Sequence, residues 1–183
     1  MKKIMLIVGI KYSGKSVLLK EIIKKIPFIK GVNFGEEMLT VSKNKNLSRE
    51  TLKQLSVKEQ KELGKKVATN IAKRSEKLIL LDTHVFVKVN DCYLPCLSKN
   101  ILSIINPILI VWVECSPSVI RERMLNTQGN IDEKELQFQQ DLTKSYLLNY
   151  CFEYDSIFCR INNDFSLTDS VNCLEKLMHQ VLL

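Results

Sequence analysis

The 183-residue chain is 45% hydrophobic and carries 27 Lys and Arg against 20 Asp and Glu, a formal charge of +7. A chain of this length builds one sizeable core and is short for two, so a single domain over residues 1–183 is expected. No apolar run reaches the roughly 20 residues that span a bilayer, and the first run is shorter than a signal-peptide core, which argues against membrane and secreted classes and predicts a cytoplasmic protein.

The positive charge suits polyanionic partners, nucleotides or RNA, without choosing between them. Only Arg49, Arg74, Arg121, Arg123 and Arg160 carry a guanidinium, so the candidates for two-pronged phosphate binding form a short set. Cys92, Cys96, Cys115, Cys151, Cys159 and Cys173 include no CxxC pair and have no histidine at ligand spacing. Neither a zinc site nor a disulfide framework is expected, and the thiols read as reduced and mostly buried.

Ile4 to Val8 is the first of five short, nearly continuous apolar runs, the pattern of strands buried on both faces. A helical segment, Ser16 to Ile26, follows and is stopped by Pro27. After a second run at Ile29 to Val32, Ser56-Val57-Lys58-Glu59 has the spacing of a capping box and opens a long helix to Arg74. The third run is Leu78 to Leu81. Pro107 precedes the fourth, Ile108 to Val113, and Ser116-Pro117 reads as the cap and first turn of a helix over Ser118 to Leu125. Asn126-Thr127-Gln128-Gly129-Asn130 predicts a short mobile loop, followed by a helix over Glu133 to Tyr150, a strand at Ile157 to Ile161 and a last helix from about Leu167 to Val181. Strand and helix alternate, which predicts an α/β fold on a parallel sheet.

Gly9-Ile10-Lys11-Tyr12-Ser13-Gly14-Lys15-Ser16 matches GxxxxGK[ST] directly after an apolar strand and directly before a helix, the context that the motif's mechanics require. Backbone N–H groups of such a loop face phosphate oxygens, and the helix adds the positive end of its dipole. Lys15 is expected to reach the β- and γ-phosphates of ATP, and the Ser16 hydroxyl to bind Mg²⁺. Lys11 and Tyr12 are bulky where glycine would have more conformational freedom.

Asp82 ends the third predicted strand at the ligand edge of an open α/β sheet, where it either helps to hold the Mg²⁺ shell or caps the next turn. His84 reads as a structural hydrogen-bonding histidine, because phosphoryl transfer between phosphates meets an acceptor that is already an anion and needs no strong base. Arg121 and Arg123 stand two residues apart and do not share a helical face. Either one stabilises the transferred phosphoryl group while the other pairs with a glutamate, or both are solvated.

With these residues in hand, the sequence resembles the archaeal adenylate kinases over essentially its whole length. The segments that carry the resemblance are the P-loop, Asn33-Phe34-Gly35-Glu36-Glu37-Met38-Leu39, Arg49-Glu50-Thr51-Leu52-Lys53-Gln54-Leu55-Ser56, Asp82-Thr83-His84, Tyr93-Leu94-Pro95 and Ile105-Asn106-Pro107. The resemblance implies a P-loop three-layer αβα architecture: a five-stranded parallel sheet with helices on both faces, a helical AMP-binding segment over about 33–72 and a short lid over about 124–133. It implies Mg²⁺-dependent transfer of the γ-phosphoryl group of ATP to AMP, and a homotrimer.

By match to those motifs, Gly9, Ile10, Lys11, Tyr12, Ser13, Gly14, Lys15, Ser16 and Val17 would hold ATP. Ser16 and Asp82 would hold the metal, Lys15, Arg49, Asp82, Arg121 and Arg123 would act in catalysis, and Glu36, Arg49, Lys53, Lys88 and Tyr93 would line the AMP site. The family usually has arginine where this chain has Lys53 and Lys88, and lysine lacks the two-pronged grip. Its arginine-rich lid is replaced here by Met124-Leu125-Asn126-Thr127-Gln128-Gly129-Asn130. A catalytic arginine in phosphoryl transfer contributes about 10³ to 10⁵ in rate, so a weak kinase is the expectation. Two alternatives stay open: another nucleoside monophosphate as acceptor, and an ATP-dependent binding module acting on RNA or ribosome assembly.

Overall fold

The computed structural model describes residues 3–42, 48–52, 54–89, 91–125 and 131–181. In chain order the elements are β1 (Lys3–Val8), α1 (Lys15–Lys25), β2 (Lys30–Asn33), α2 (Phe34–Val41), α3 (Arg49–Leu52), α4 (Val57–Lys73), β3 (Leu78–Thr83), β4 (Phe86–Val89), β5 (Cys92–Pro95), α5 (Lys99–Ile105), β6 (Leu109–Glu114), α6 (Pro117–Met124), α7 (Glu133–Tyr154), β7 (Ile157–Asn162) and α8 (Leu167–Val181). Five strands form one parallel sheet in the order β2-β3-β1-β6-β7, and β4 pairs with β5 as an antiparallel hairpin.

The inner strands β1, β3 and β6 read as continuous apolar runs because both of their faces are covered, whereas the edge strands β2 and β7 are only partly buried. Side chains alternate between the faces. Ile4, Leu6 and Val8 of β1 join Ile79 and Leu81 of β3 and Ile110 and Trp112 of β6 against α4, α5 and α7, through residues such as Val67, Ile71, Leu102 and Leu147. Met5, Ile7, Leu80, Val111 and Val113 face the other way, onto Leu18 and Ile22 of α1 and Leu174 and Met178 of α8. This is the three-layer arrangement that the resemblance implies, built on the parallel sheet expected from the alternation of elements. A smaller cluster of Ile10, Cys115, Ile120, Met124 and Leu136 joins the P-loop to α6 and the first turns of α7. The Trp112 indole lies inside the first layer, stacked on Phe158 with ring centroids 6.3 Å apart, and the Lys144 ammonium sits over it.

The capping box predicted at Ser56 is present in both directions: Glu59 N–H donates to Ser56 Oγ, and Ser56 N–H donates to Glu59 Oε2. The apolar periodicity does not announce α2, α5 or the hairpin, all of which are short. Two of them begin at side-chain caps, Asn33 and Ser98. The thiols depart from expectation. Only Cys115 and Cys151 are buried, while Cys92 and Cys173 are exposed because they lie on the hairpin and on the outer face of α8. The predicted loop at 126–130, the centre of the expected lid, and Lys53 lie outside the described residues. Among the described residues, no helix is long and apolar enough to cross a membrane.

Leu6 is fully buried in the central strand. Leu6→Ala is expected to lower the unfolding free energy by about 2–5 kcal/mol, read as a shift in the midpoint of chemical denaturation without loss of cooperativity.

Candidate active site

The carboxyl ends of β1, β3, β6 and β2 converge on one edge of the sheet, and the chain leaves β1 there as the loop Gly9 to Gly14. Gly9 lies so close to the rest that a Cβ would sit 2.6 Å from the Val113 carbonyl oxygen and 2.8 Å from Ser13 Oγ. Gly14, at φ 90°, opens α1 without any side-chain cap. The first N–H groups of that helix have no carbonyl a turn earlier to bond and form an anion site with the helix dipole. Ser13 Oγ is buried and has no hydrogen-bond partner among the described residues, so the loop holds an unspent hydroxyl. Tyr12 occupies the left-handed region at φ 66°, a conformation that costs a residue with a Cβ roughly 1–2 kcal/mol.

Lys15 folds back across this loop, its ammonium donating to the Ile10 carbonyl at 2.8 Å. It is 5% exposed. Burial pushes its pKa down to about 8, with the Asp82 carboxylate pulling the other way. Asp82 follows from the pleat: with Leu78 and Leu80 facing α1, the next residue of that parity is Asp82, which therefore points at the start of the same helix. Its Oδ2 accepts from Ser16 Oγ at 3.0 Å and from Asn33 Nδ2 at 3.1 Å. Asn33 stands beside Asp82 in the β2–β3 ladder, and its Oδ1 caps α2 by accepting from Glu36 N at 3.0 Å. One carboxylate thus joins the P-loop helix to the first turn of α2.

The Ser16 hydroxyl and Asp82 carboxylate are hard oxygen ligands within hydrogen-bond distance of each other, which suits Mg²⁺. That ion is usually held by one or two protein oxygens, substrate phosphates and water. Among the described residues, no cluster of three or more acidic, His or Cys side chains competes as a metal site. His84 presents Nδ1 to the Gly9 carbonyl at 3.2 Å. Although the residue is exposed, desolvation of its ring and then the Lys15 charge push its pKa down to about 4, so the ring is neutral near pH 7 and serves as a loop contact.

The arginines separate. Arg121 turns outward and pairs with Glu133 at 3.3 Å, whereas Arg123 lies behind the P-loop and donates to Tyr12 O at 3.3 Å and to Asn163 O at 2.7 Å. Arg49 sits on α3 and pairs with Glu36 of α2, both exposed. Lys88 and Tyr93 face each other across the β4–β5 hairpin, and both reach Glu135 in the first turn of α7, Lys88 at 3.1 Å. Gln139 donates to the same carboxylate at 2.8 Å. These donors, Gln139 and then Tyr93, hold Glu135 below the usual carboxylate range. Of the expected acceptor residues, Arg49 and Lys88 are thus carboxylate-paired cations, and Arg49 lies near enough to His84 to bear on its charge, as Lys15 and Asp82 do.

Two further residues belong to this region and carry no motif. Asn163, 4% exposed, follows β7 and donates to Ser13 O at 2.7 Å; its only sequence signal is the polar Asn162-Asn163-Asp164 turn after an apolar run. Glu135 looks in sequence like any solvated glutamate of an amphipathic helix.

A family model described as an AAA domain matches residues 8–138. The chain is 31% identical to an adenylate kinase of Pyrococcus horikoshii and 32% identical to one of Thermococcus kodakarensis, in each case over 96% of this chain and 94% of the relative. An adenylate kinase of Methanocaldococcus jannaschii is 29% identical over 81% of this chain and 80% of its own length. The chain belongs to the archaeal adenylate kinase family. Among solved structures, a sugar kinase of Janibacter sp. HTCC2649 superposes with a TM-score of 0.59 at 11% identity, covering 100% of this chain and 96% of that one. Shikimate kinase of Bacteroides thetaiotaomicron gives 0.56 at 14% identity, covering 97% and 98%. At such identities these two structures speak for the P-loop kinase fold alone.

The low pKa of Lys15 has opposite consequences for binding and for stability. As pH rises through about 8 the ammonium loses its proton, so affinity for a phosphate chain falls. The cost of burying the cation is full below that pH and is relieved toward the ordinary value of 10.5, so this group's contribution to stability rises in the same window. Titration calorimetry with MgADP should show weakening above about pH 8 that is absent in Lys15→Met.

Proposed function

We propose that this nucleoside monophosphate kinase transfers the γ-phosphoryl group of MgATP to AMP, giving two ADP. The observation that supports it most is the shared Asp82 oxygen: the residue beside the P-loop helix also holds Asn33, the cap of α2, so a donor bound at one and an acceptor bound along the other meet at one carboxylate. The chain is read as a single P-loop kinase domain, with the acceptor-binding segment over about 33–72 and the lid over about 124–133.

In this reading the β–γ bridging P–O bond of ATP breaks as a phosphate oxygen of AMP bonds to the γ-phosphorus, and no proton has to move. Lys15 holds the β- and γ-phosphates, backbone N–H groups from Gly9 to Ser16 cradle them, and Ser16 with Asp82 would hold the metal. Bound Mg²⁺ supplies charge neutralisation between the phosphates. Arg49 leaves its exposed pairing with Glu36 to take the acceptor phosphate, a cheap exchange because exposed ion pairs contribute about 0–1 kcal/mol. Lys88 carries a second cation to the same side, and Tyr93 fixes the hairpin that presents it. The base of the acceptor has a cleft at hand between α2, α4 and the hairpin, walled by Phe34, Met38, Leu52, Val57, Val87 and Leu94. Neutral His84 takes no part as a base.

ADP formation by the purified chain with MgATP and AMP, GMP, CMP or UMP in turn, with Lys15→Ala as the control for contaminating kinase, tests the proposal. AMP should stand out, and Lys15→Ala should be inactive. Arg49→Ala should raise the KM for AMP by about tenfold or more, as loss of a charge-assisted contact predicts, while leaving the KM for ATP in place. Turnover that no monophosphate stimulates, with ATP still bound, would move the chain to the class of nucleotide-dependent binding modules.

A further inference from the structure

Three non-glycine residues among those described have positive φ, and two of them, Asn106 and Asp155, are of the types that tolerate it. The third is Tyr12, at the apex of the P-loop. A strained backbone of this kind persists only where its surroundings over-determine it. The carbonyls of Tyr12 and of its neighbour Ser13 are both held from outside the loop. Arg123 Nη1 donates to Tyr12 O at 3.3 Å, and Asn163 Nδ2 donates to Ser13 O at 2.7 Å.

The two holders are themselves locked. Asn163 Oδ1 accepts from Ser170 Oγ at 2.8 Å, its N–H donates to Glu114 O at 2.8 Å, and its carbonyl accepts from Arg123 Nη2 at 2.7 Å. Arg123 Nη1 also reaches the Cys115 sulfur at 3.2 Å. In a trans peptide the C=O and the following N–H point in opposite directions. Fixing Ser13 O outward therefore aims the Gly14 N–H into the phosphate cradle, and fixing Tyr12 O turns the Ser13 N–H inward, where it bonds Ile10 O at 3.3 Å. Only glycine at position 14 lets Asn163 come this close: a Cβ there would stand 2.2 Å from its Nδ2.

We infer that Arg123 and Asn163 are positioning residues for the nucleotide: they clamp the P-loop with Tyr12 in its left-handed conformation, and Arg123 acts through the loop without touching the transferred phosphoryl group. The inference rests on the nucleotide site proposed above and is independent of which acceptor it serves. It also explains how the loop keeps its shape with a tyrosine where glycine would adopt the conformation freely.

The test is a thermodynamic cycle on the full chain, read by titration calorimetry with MgATP in the absence of acceptor and by steady-state kinetics. Arg123→Ala and Asn163→Ala should each weaken MgATP binding by about tenfold, the scale of a lost hydrogen-bonded brace. In the Tyr12→Gly background the loss from Arg123→Ala should shrink to under about threefold, because glycine holds that conformation without help. The KM for ATP should rise while the KM for the acceptor stays put. Should Arg123→Ala fail to fold, Arg123→Lys with and without Tyr12→Gly gives the same comparison, since one ammonium cannot span both carbonyls. Unchanged MgATP affinity with a fall in kcat of about 10³ in both backgrounds would make Arg123 a transition-state arginine and overturn the inference. If no monophosphate is phosphorylated, the calorimetry still reads the clamp, so failure of the proposed function and failure of this inference remain distinct.

Discussion

The Lys15 ammonium is almost wholly removed from water, and a buried cation needs oxygen close by to offset its lost hydration. The structure supplies that oxygen from two directions: the Ile10 carbonyl within the loop and the Asp82 carboxylate at the end of β3. Both depend on where β1 lies. As the central strand, paired in parallel on each side and covered on both faces, it releases the loop where the ends of β3 and β6 already converge. Asp82 then ties in Ser16 and Asn33, so the requirement of one buried charge organises the entry to α1 and the cap of α2 together.

The rim of the site follows a different rule. Arg49 and Lys88, expected to line the AMP site, and Arg121, expected either at the phosphoryl group or on a glutamate, each pair with a glutamate: Glu36, Glu135 and Glu133. The Arg49 and Arg121 pairs are largely exposed, contribute little to stability and are easily exchanged for a stronger anion, whereas Lys88–Glu135 is half-buried and shares its carboxylate with Tyr93 and Gln139. Arg123 differs because its guanidinium is spent on backbone carbonyls and a thiol. Similar-looking cations in one sequence therefore divide into exchangeable ones at the surface and a fixed one under the loop.

Much of this was legible in advance, for identifiable reasons. The three inner sheet strands announce themselves because burial on both faces makes them continuous apolar runs, the half-exposed edge strands β2 and β7 do so by shorter apolar stretches, and α4 does so because Ser56 and Glu59 make a reciprocal cap. The P-loop and Asp82 were legible because they carry motifs at fixed places relative to strands. Helix α5 and the hairpin were not, since seven- and four-residue elements contain too few positions for a period to emerge. Asn163 and Glu135 were hidden more deeply. Asn163 is separated from Ser13 by 150 residues, and no spacing rule links a turn after the last strand to the first loop. Glu135 becomes notable only once the hairpin is folded against α7 and its carboxylate gathers Lys88, Tyr93 and Gln139.

Trp112 is the chain's single tryptophan, and the register of the sheet sets it opposite Val8, the residue before the P-loop begins. Its indole is shut off from solvent, stacked on the edge-strand residue Phe158 and overlain by the Lys144 ammonium. Emission from this protein therefore comes from one ring in one environment, with no second fluorophore of its kind to average against. Separation of β6 from β7, or retreat of α7 from the sheet, would admit water to that ring and shift its spectrum to the red, so the chain carries an intrinsic optical gauge of its own core beside the strand that feeds the nucleotide loop.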